Sequence, residues 1–285
     1  MNRPITAIDC HAHVMLRDHP LSPERHSKPP RDVTVDEHLA TMDAHGISHS
    51  VLTAPSFYGA DNRVLLDALD ACPQRLRGTV IVEPDIDDES LAAMDRRGVV
   101  GIRLNWLRRE QLPDVDSANY RRLFDRVRNL DWHIEIYLEG PKLGGVLPRL
   151  RASGAKVVVD HFASPDPAAG VADVGFRAAL AGVRAGDTWV KLSAPYRQGG
   201  ADPQRYVDAL LDAGGPQRLM WASDRPWVTY EQLKITYRQC INWLHDWVPD
   251  PATRRTILVD TPALLFRFDR EMPVAAHARA AAPRS

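Results

Sequence analysis

Two histidines one residue apart stand near the start of the chain, in Ile8-Asp9-Cys10-His11-Ala12-His13-Val14. Their apolar neighbours read as a β-strand, and on a strand residues i and i+2 point to the same side. Paired imidazoles can ligate a metal ion or hydrogen-bond a carbonyl oxygen. The plain alternative is two partly buried histidines satisfied by backbone groups. Further along, Val157-Val158-Val159-Asp160-His161-Phe162 sets a histidine beside a carboxylate at the end of an apolar run. That suits proton transfer or oxyanion stabilisation, although such a histidine also serves simply to close a strand. A third stretch, Leu219 to Trp227, ends a run on Asp224, which can ligate a metal, act as a general base, or cap a turn before Pro226.

The fourth signal is basic. Arg103 closes the apolar run that continues through Gly101-Ile102, Arg109 lies in the loop beyond, Arg197 follows Pro195-Tyr196, and Arg225 follows Asp224. Guanidinium forks gathered at one site pair bidentately with carboxylates. Singly, the loop arginines read as ordinary ion pairs; Arg103 does not, because it ends a buried strand. His19, His26, His38, His45, His49 and His245 have no paired spacing and read as surface or packing residues. Trp243 and Trp247, four apart, suit a core or an interface.

These side chains need elements to position them. Eight Val- and Ile-rich runs recur: Ile5–Val14, His49–Ala54, Gly78–Glu83, Val99–Trp106, His133–Glu139, Lys156–Phe162, Thr188–Ala194 and Arg218–Ala222. They are continuous rather than alternating, as in parallel strands buried on both faces. Between several of them lie helices with readable ends. Thr34-Val35-Asp36-Glu37 forms a capping box with Gly46 at the far end, and Asp61 caps Asn62–Ala71. Asp87 or Asp88 opens a helix stopping near Gly98, Ser117 opens Asn119–Leu130, and Pro203 starts one reaching Ala213. Tyr230–Trp247 is the longest candidate, with Pro251–Val259 and Thr261–Phe266 after it. Strand–helix alternation over eight repeats predicts an α/β fold, a (β/α)8 TIM barrel, with an open doubly wound sheet as the rival. No GxGxxG or Walker pattern supports the rival.

In a barrel, chemistry sits at the carboxyl ends of strands. Those ends carry Asp9, His11 and His13, then Ser56, Glu83, Arg103 and Asn105, Tyr137 and Glu139, Asp160 and His161, Ser193, and Asp224.

A chain of 285 residues fits one such barrel or two average domains, and no linker divides it. A single domain over 1–271 is expected, with a flexible tail over 272–285. The 36 Lys and Arg against 37 Asp and Glu give a net charge of −1, which argues against nucleic acid or anionic membrane as partner. No run approaches the ~20 apolar residues of a membrane span. The start, Met1-Asn2-Arg3-Pro4, lacks a signal-peptide core, and three scattered cysteines form no disulfide framework, so a cytoplasmic protein is expected.

Together the motifs resemble the amidohydrolase superfamily, in its amidohydrolase-related branch, and within that the 2-pyrone-4,6-dicarboxylate lactonase-like hydrolases. The resemblance runs from Ile8 to about Phe268. It is carried by the HxH pair, Pro55-Ser56 with Gly59 and Asp61-Asn62, Gly101-Ile102-Arg103-Leu104-Asn105, Ile136-Tyr137, Asp160-His161-Phe162, Tyr196-Arg197, and Trp221-x-Ser223-Asp224-x-Pro226. It implies a metal-independent lactonase, an enzyme of carboxylic ester bonds in aromatic or sugar-acid breakdown. Asp224 would activate water and return the proton to the leaving oxygen. His11, His13 and His161 would polarise the lactone carbonyl, with Tyr137 hydrogen-bonding the substrate. Arg103, Arg109 and Arg197, with Ser56, would hold its carboxylates, and Arg225 would add to them.

Metal-dependent relatives have a histidine on strand five where this chain has Tyr137, a poor ligand with its pKa near ~10. The remaining set would hold zinc weakly, and no cofactor is expected. The family's Trp-Pro-His run after the last aspartate is here Arg225-Pro226-Trp227, and Lys28 replaces a loop tyrosine, both favouring a more anionic or differently placed acid group.

Two other readings remain: a metal-dependent hydrolase or decarboxylase with His11, His13 and Asp224 as ligands, and a non-catalytic binder of small anions. The first reading expects a nearly neutral protein, monomer or homodimer, with one cationic pocket for a small carboxylated substrate.

Overall fold

The computed structural model describes residues 3–269, so the expected tail over 272–285 lies outside the described residues. Eight strands run parallel in sequence order: β1 (Ile8–Ala12), β2 (His49–Thr53), β3 (Leu76–Val80), β4 (Val99–Asn105), β5 (His133–Tyr137), β6 (Lys156–Val159), β7 (Thr188–Leu192) and β8 (Leu219–Trp221). The ring closes just beyond β1 and β8, where His13 N donates to Arg225 O at 2.9 Å and Asp224 N to His11 O at 2.9 Å. The expected TIM barrel is therefore the fold. Its seam lies at the aspartate and histidines singled out above.

The helices that follow the strands are α1 (Val35–Ala44), α2 (Arg63–Ala71), α3 (Asp88–Arg96), α4 (Ala118–Asn129), α5 (Gly140–Ala152), α6 (Val174–Ala185), α7 (Pro203–Gly214) and α8 (Tyr237–Trp247). The capping box before α1 is half formed. Thr34 accepts from Glu37 N at 3.2 Å, but the Glu37 carboxylate turns to Arg31 and Arg225 instead of returning to the cap. Two expected elements are shorter. β3 ends at Val80 because the Asn62 amide takes both backbone groups of Ile81, at 2.8 and 3.2 Å, removing Ile81 from the ladder. Helix α8 starts only at Tyr237, where the Thr236 hydroxyl caps it; the expected first turns contain a separate 3-10 turn, Glu231–Leu233, ended by a left-handed Lys234.

After α8, α9 (Pro251–Arg255), a π-helical turn and α10 (Thr261–Leu265) carry the chain under the amino-terminal end of the barrel. There Phe266, fully buried, packs with Ile8, Cys10, Val51, Val100, Val158 and Met220. Gly101 on β4 is required by packing: a Cβ there would stand 2.3 Å from the His133 ring. Among the described residues no helix is long and apolar enough to cross a membrane.

Candidate active site

The opposite, carboxyl-terminal end of the barrel opens into a cavity of about 440 Å³. It is lined by residues at or just past successive strand ends: His13, Ser56, Arg103 and Asn105, Tyr137, His161, Arg197 and Asp224. Loop backbone at these points is constrained. His161 to Ser164, Ala194 and Asp224 all have positive φ, from 43° to 65°, a conformation that costs a side-chain-bearing residue free energy unless its surroundings impose it.

Asp224 is the centre. Its Oδ2 accepts from Tyr196 OH at 2.6 Å and from Arg197 Nε and Nη2 at 3.0 and 2.8 Å. Its Oδ1 faces His11 Nε2 and His13 Nε2, each at 3.8 Å, and His161 Nε2 at 3.7 Å. One oxygen is thus tied down, and the other borders a gap ringed by imidazoles. Asp9 buttresses this loop, accepting from Ser223 N and Oγ at 2.9 and 2.6 Å and from Tyr237 OH at 2.9 Å.

Burial pushes the Asp224 carboxyl up, but Arg197 and then His161 outweigh it and hold it well below the usual carboxylate range. Burial brings the His161 imidazole down to about 3 against the pull of Asp224 and Asp160. Burial, with Lys191 beside it, brings His11 down to about 4. Burial raises the Tyr137 phenol to about 12. At neutral pH the site holds an ionised Asp224, neutral His11 and His161, and a neutral phenol. His13 Nδ1 lies 2.7 Å from Thr53 O. A carbonyl oxygen only accepts, so Nδ1 carries a proton.

Beneath the lining lies a sealed ion network. Arg103 donates to Ala54 O at 3.0 Å and Asp160 Oδ2 at 3.1 Å, and pairs with Glu135 Oε1 at 3.2 Å. Lys191 Nζ stands 2.6 Å from Glu135 Oε2, 3.1 Å from Asp160 Oδ1 and 3.0 Å from His11 Nδ1. Sequence reasoning passed over Lys191, Glu135 and the role of Tyr196. The available signal was an ionisable residue breaking an otherwise apolar buried strand, as in Val190-Lys191-Leu192 and Ile134-Glu135-Ile136.

The expected site residues are not all brought together. His11 is fully buried just behind the lining. Ser56, Arg103, Tyr137 and Arg197 line the cavity, but Arg103 and Arg197 are held by carboxylates of the protein itself. Arg109 is half exposed at the rim, 3.8 Å from Glu24, and outside the lining; its neighbour Arg108 lines the cavity with no carboxylate partner for its guanidinium among the described residues. Arg225 turns away and pairs with Glu37, and Lys28 is also outside the lining. His26, expected as surface or packing, does line the cavity. Nor is the lining of one sign, since Glu139, Asp166 and Asp224 face Arg103, Arg108 and Arg197.

Two donor sets have the spacing of a metal site, with ligand atoms within 4.8 Å of one another: His11, His161 and Asp224, and His11, Glu135 and Asp160. The ammonium of Lys191 already contacts all three members of the second. The first fits a divalent ion in spacing. The one carboxylate of that set, Asp224, already faces the Arg197 guanidinium.

The profile of a protein family described as Amidohydrolase matches residues 8–268. The chain is 30% identical over 268 residues to the 4-sulfomuconolactone hydrolase of Hydrogenophaga intermedia, covering 90% of this chain and 88% of that protein. It is 28% identical over 279 residues to the 2-pyrone-4,6-dicarboxylate hydrolase of Comamonas testosteroni, covering 92% and 90%. A Pseudomonas putida structure carrying the description 2-pyrone-4,6-dicarboxylic acid hydrolase superposes with a TM-score of 0.86 at 36% identity, over 94% of this chain and all of that one.

Proposed function

The chain belongs to the amidohydrolase family, and from that premise we propose that it hydrolyses a small lactone bearing carboxylate or a similar anionic group, without a metal. The observation that carries this reading is the divided Asp224 carboxylate, one oxygen fixed by Tyr196 and Arg197 and the other facing three imidazoles, His13 and His161 in the cavity lining and His11 just behind it. Two of the similar proteins are named as lactone hydrolases.

In this reading a water in the gap gives a proton to Asp224 Oδ1 as its oxygen attacks the lactone carbonyl carbon. The new C–O bond converts the carbonyl into a tetrahedral oxyanion. N–H groups of His11 and His161 donate to that oxygen as its charge develops. The intermediate collapses by breaking the ring C–O bond, and the leaving oxygen takes the proton back from Asp224. The product is the ring-opened hydroxy acid or its keto tautomer. A carboxylate with so low a pKa is a weak base. An anionic substrate competing for Arg197 would loosen the clamp on Oδ2 and make Asp224 more basic. Arg108 supplies the unpaired guanidinium for the substrate's acid group.

The test is turnover of a panel that includes 2-pyrone-4,6-dicarboxylate and 4-sulfomuconolactone, with and without a chelator, alongside metal analysis. Ring opening unchanged by chelation is expected. Because the first donor set has suitable spacing, a metal-dependent hydrolase is the second reading; stoichiometric metal with chelator-sensitive turnover would replace the first with it.

A further inference from the structure

The proposed reaction leaves one buried ionisable side chain unused. Lys191 projects from β7 with no exposed surface. Glu135 and Asp160 suffice to neutralise it, yet its ammonium also stands 3.0 Å from His11 Nδ1, on the ring whose other nitrogen faces Asp224.

A neutral imidazole carries one N–H, and an ammonium can only donate, so it meets a ring nitrogen productively through that nitrogen's lone pair. Five groups compete over where the His11 proton resides. Lys191 at 3.0 Å favours a bare Nδ1, whereas Asp160 Oδ1 at 3.2 Å and Glu135 Oε1 at 3.7 Å favour a protonated one. Across the ring, Asp224 Oδ1 at 3.8 Å favours a protonated Nε2, and Arg103 Nη2 at 3.5 Å a bare one. The lysine makes the shortest contact of the five. The opposing acceptors, Asp160 and Glu135, are each already engaged by Arg103 and by Lys191 itself.

We propose that Lys191 is a positioning residue that holds His11 in its Nε2–H tautomer, so that an N–H rather than a lone pair faces the reacting atoms beside Asp224. The consequence for rate rests on the lactonase reading; the tautomer rests on geometry alone. Without Lys191 the proton would move to Nδ1 and bond Asp160. His11 would then turn a lone pair toward a carboxylate and a developing oxyanion. Losing one such donor lowers kcat by roughly a hundred- to a thousandfold in hydrolases that depend on it.

The experiment uses full-length protein with 15N-labelled histidine. The His11 signals are assigned by their loss in His11→Asn, and the protonated nitrogen is read from pyrrole-type against pyridine-type shifts. Nε2–H is expected in the wild type. Nδ1–H is expected in Lys191→Met/Glu135→Gln, which removes one positive and one negative buried charge together. In the same double variant kcat on 2-pyrone-4,6-dicarboxylate should fall about a hundredfold or more with little change in KM. Lys191→Arg, which keeps the charge and donors, should retain the Nε2–H signature. A wild-type His11 protonated at Nδ1 overturns the proposal, and that spectrum decides even where a variant does not fold. An Nε2–H signal persisting in the double variant overturns it equally. Absence of turnover on every lactone would sink the proposed function and leave the tautomer assignment to the spectra.

Discussion

Buried arginines close both ends of the barrel, and the two ends use them differently. At the amino-terminal end Arg77 donates to the carbonyls of Pro73, Leu76 and Arg267, at 2.7, 2.9 and 3.2 Å. Arg267 donates to Val99 O at 2.8 Å and Asp95 at 2.9 Å. Burial, with Arg267 nearby, lowers the Arg77 guanidinium to about 10. These cations tie together chain segments over the Phe266 plug. At the carboxyl-terminal end Arg103 and Arg197 are held by Asp160, Glu135 and Asp224 and border an open cavity. A guanidinium bound to carbonyls stabilises backbone. One bound to a carboxylate at a cavity sets that carboxylate's charge and can be drawn off by an incoming anion. Substitutions at the two ends should therefore separate into losses of stability and losses of turnover.

The largest effect expected at the mouth is that of Asp224→Asn. Without the proton acceptor, kcat should fall by roughly a hundred- to ten-thousandfold, in protein that remains folded by circular dichroism. A variant retaining more than a tenth of wild-type kcat would remove Asp224 from the reaction. At the other end Phe266→Ala empties a fully buried site beneath β1 and β4. It should cost about 3–5 kcal/mol in urea unfolding while kcat of the folded protein stays near wild type. If it instead lowered kcat without lowering stability, the division between the two ends would fail. Next in size is Arg108→Ala, which removes the unpaired cavity guanidinium. KM for an anionic lactone should rise by roughly ten- to a hundredfold, as expected for losing a charge-assisted hydrogen bond of about 1.5–3 kcal/mol. Arg109→Ala, at the rim, should change KM little; the reverse order would return the substrate to Arg109.

The architecture was legible because eight Val- and Ile-rich runs have nowhere to go but a sheet covered on both faces. The residues ending those runs had to gather at one mouth. His13, His161, Tyr137 and Asp224 were readable for that reason. The arginines were not, because sequence position does not reveal what a long side chain reaches. Arg225 leaves the strand end next to Asp224 and still bonds Glu37 on α1, while Arg108, rather than Arg109, turns inward. Strand register was also hidden: β1 has an irregular register between Asp9 and Ala12, so simple alternation does not describe how His11 and His13 converge. Lys191 and Glu135 were visible as charges within apolar strands, but their mutual pairing depends on β5 and β7 flanking β6 in the closed sheet.

The smallest effect separates the histidines of the mouth from one in the wall. Burial is the first cause holding His11 at about 4 and His161 and His38 at about 3. Their unfolded value is about 6.5. Between about pH 6.5 and the folded values the unfolded chain binds more protons, so stability rises with pH there. The contribution is complete above about pH 6.5 and is lost as pH falls toward 4 and then 3. The depressed carboxylates Asp160 and Asp224 act in a separate, lower window, since they lose their contribution only as pH falls below their unfolded value of about 3.9. His38 lies on α1 against the barrel wall, its Nε2 3.1 Å from Ser50 Oγ and remote from the cavity lining. His38→Gln can keep a hydrogen bond to Ser50 while removing one titration. Unfolding free energy measured in urea between about pH 6.5 and 4.5 should then fall less steeply than in the wild type, with kcat at neutral pH unchanged. Equal slopes would mean that His38 takes up its proton as readily folded as unfolded, leaving the other depressed histidines, among them His49, His133, His11 and His161, as those through which acid weakens the fold, the last two at the same place where it would stop the reaction.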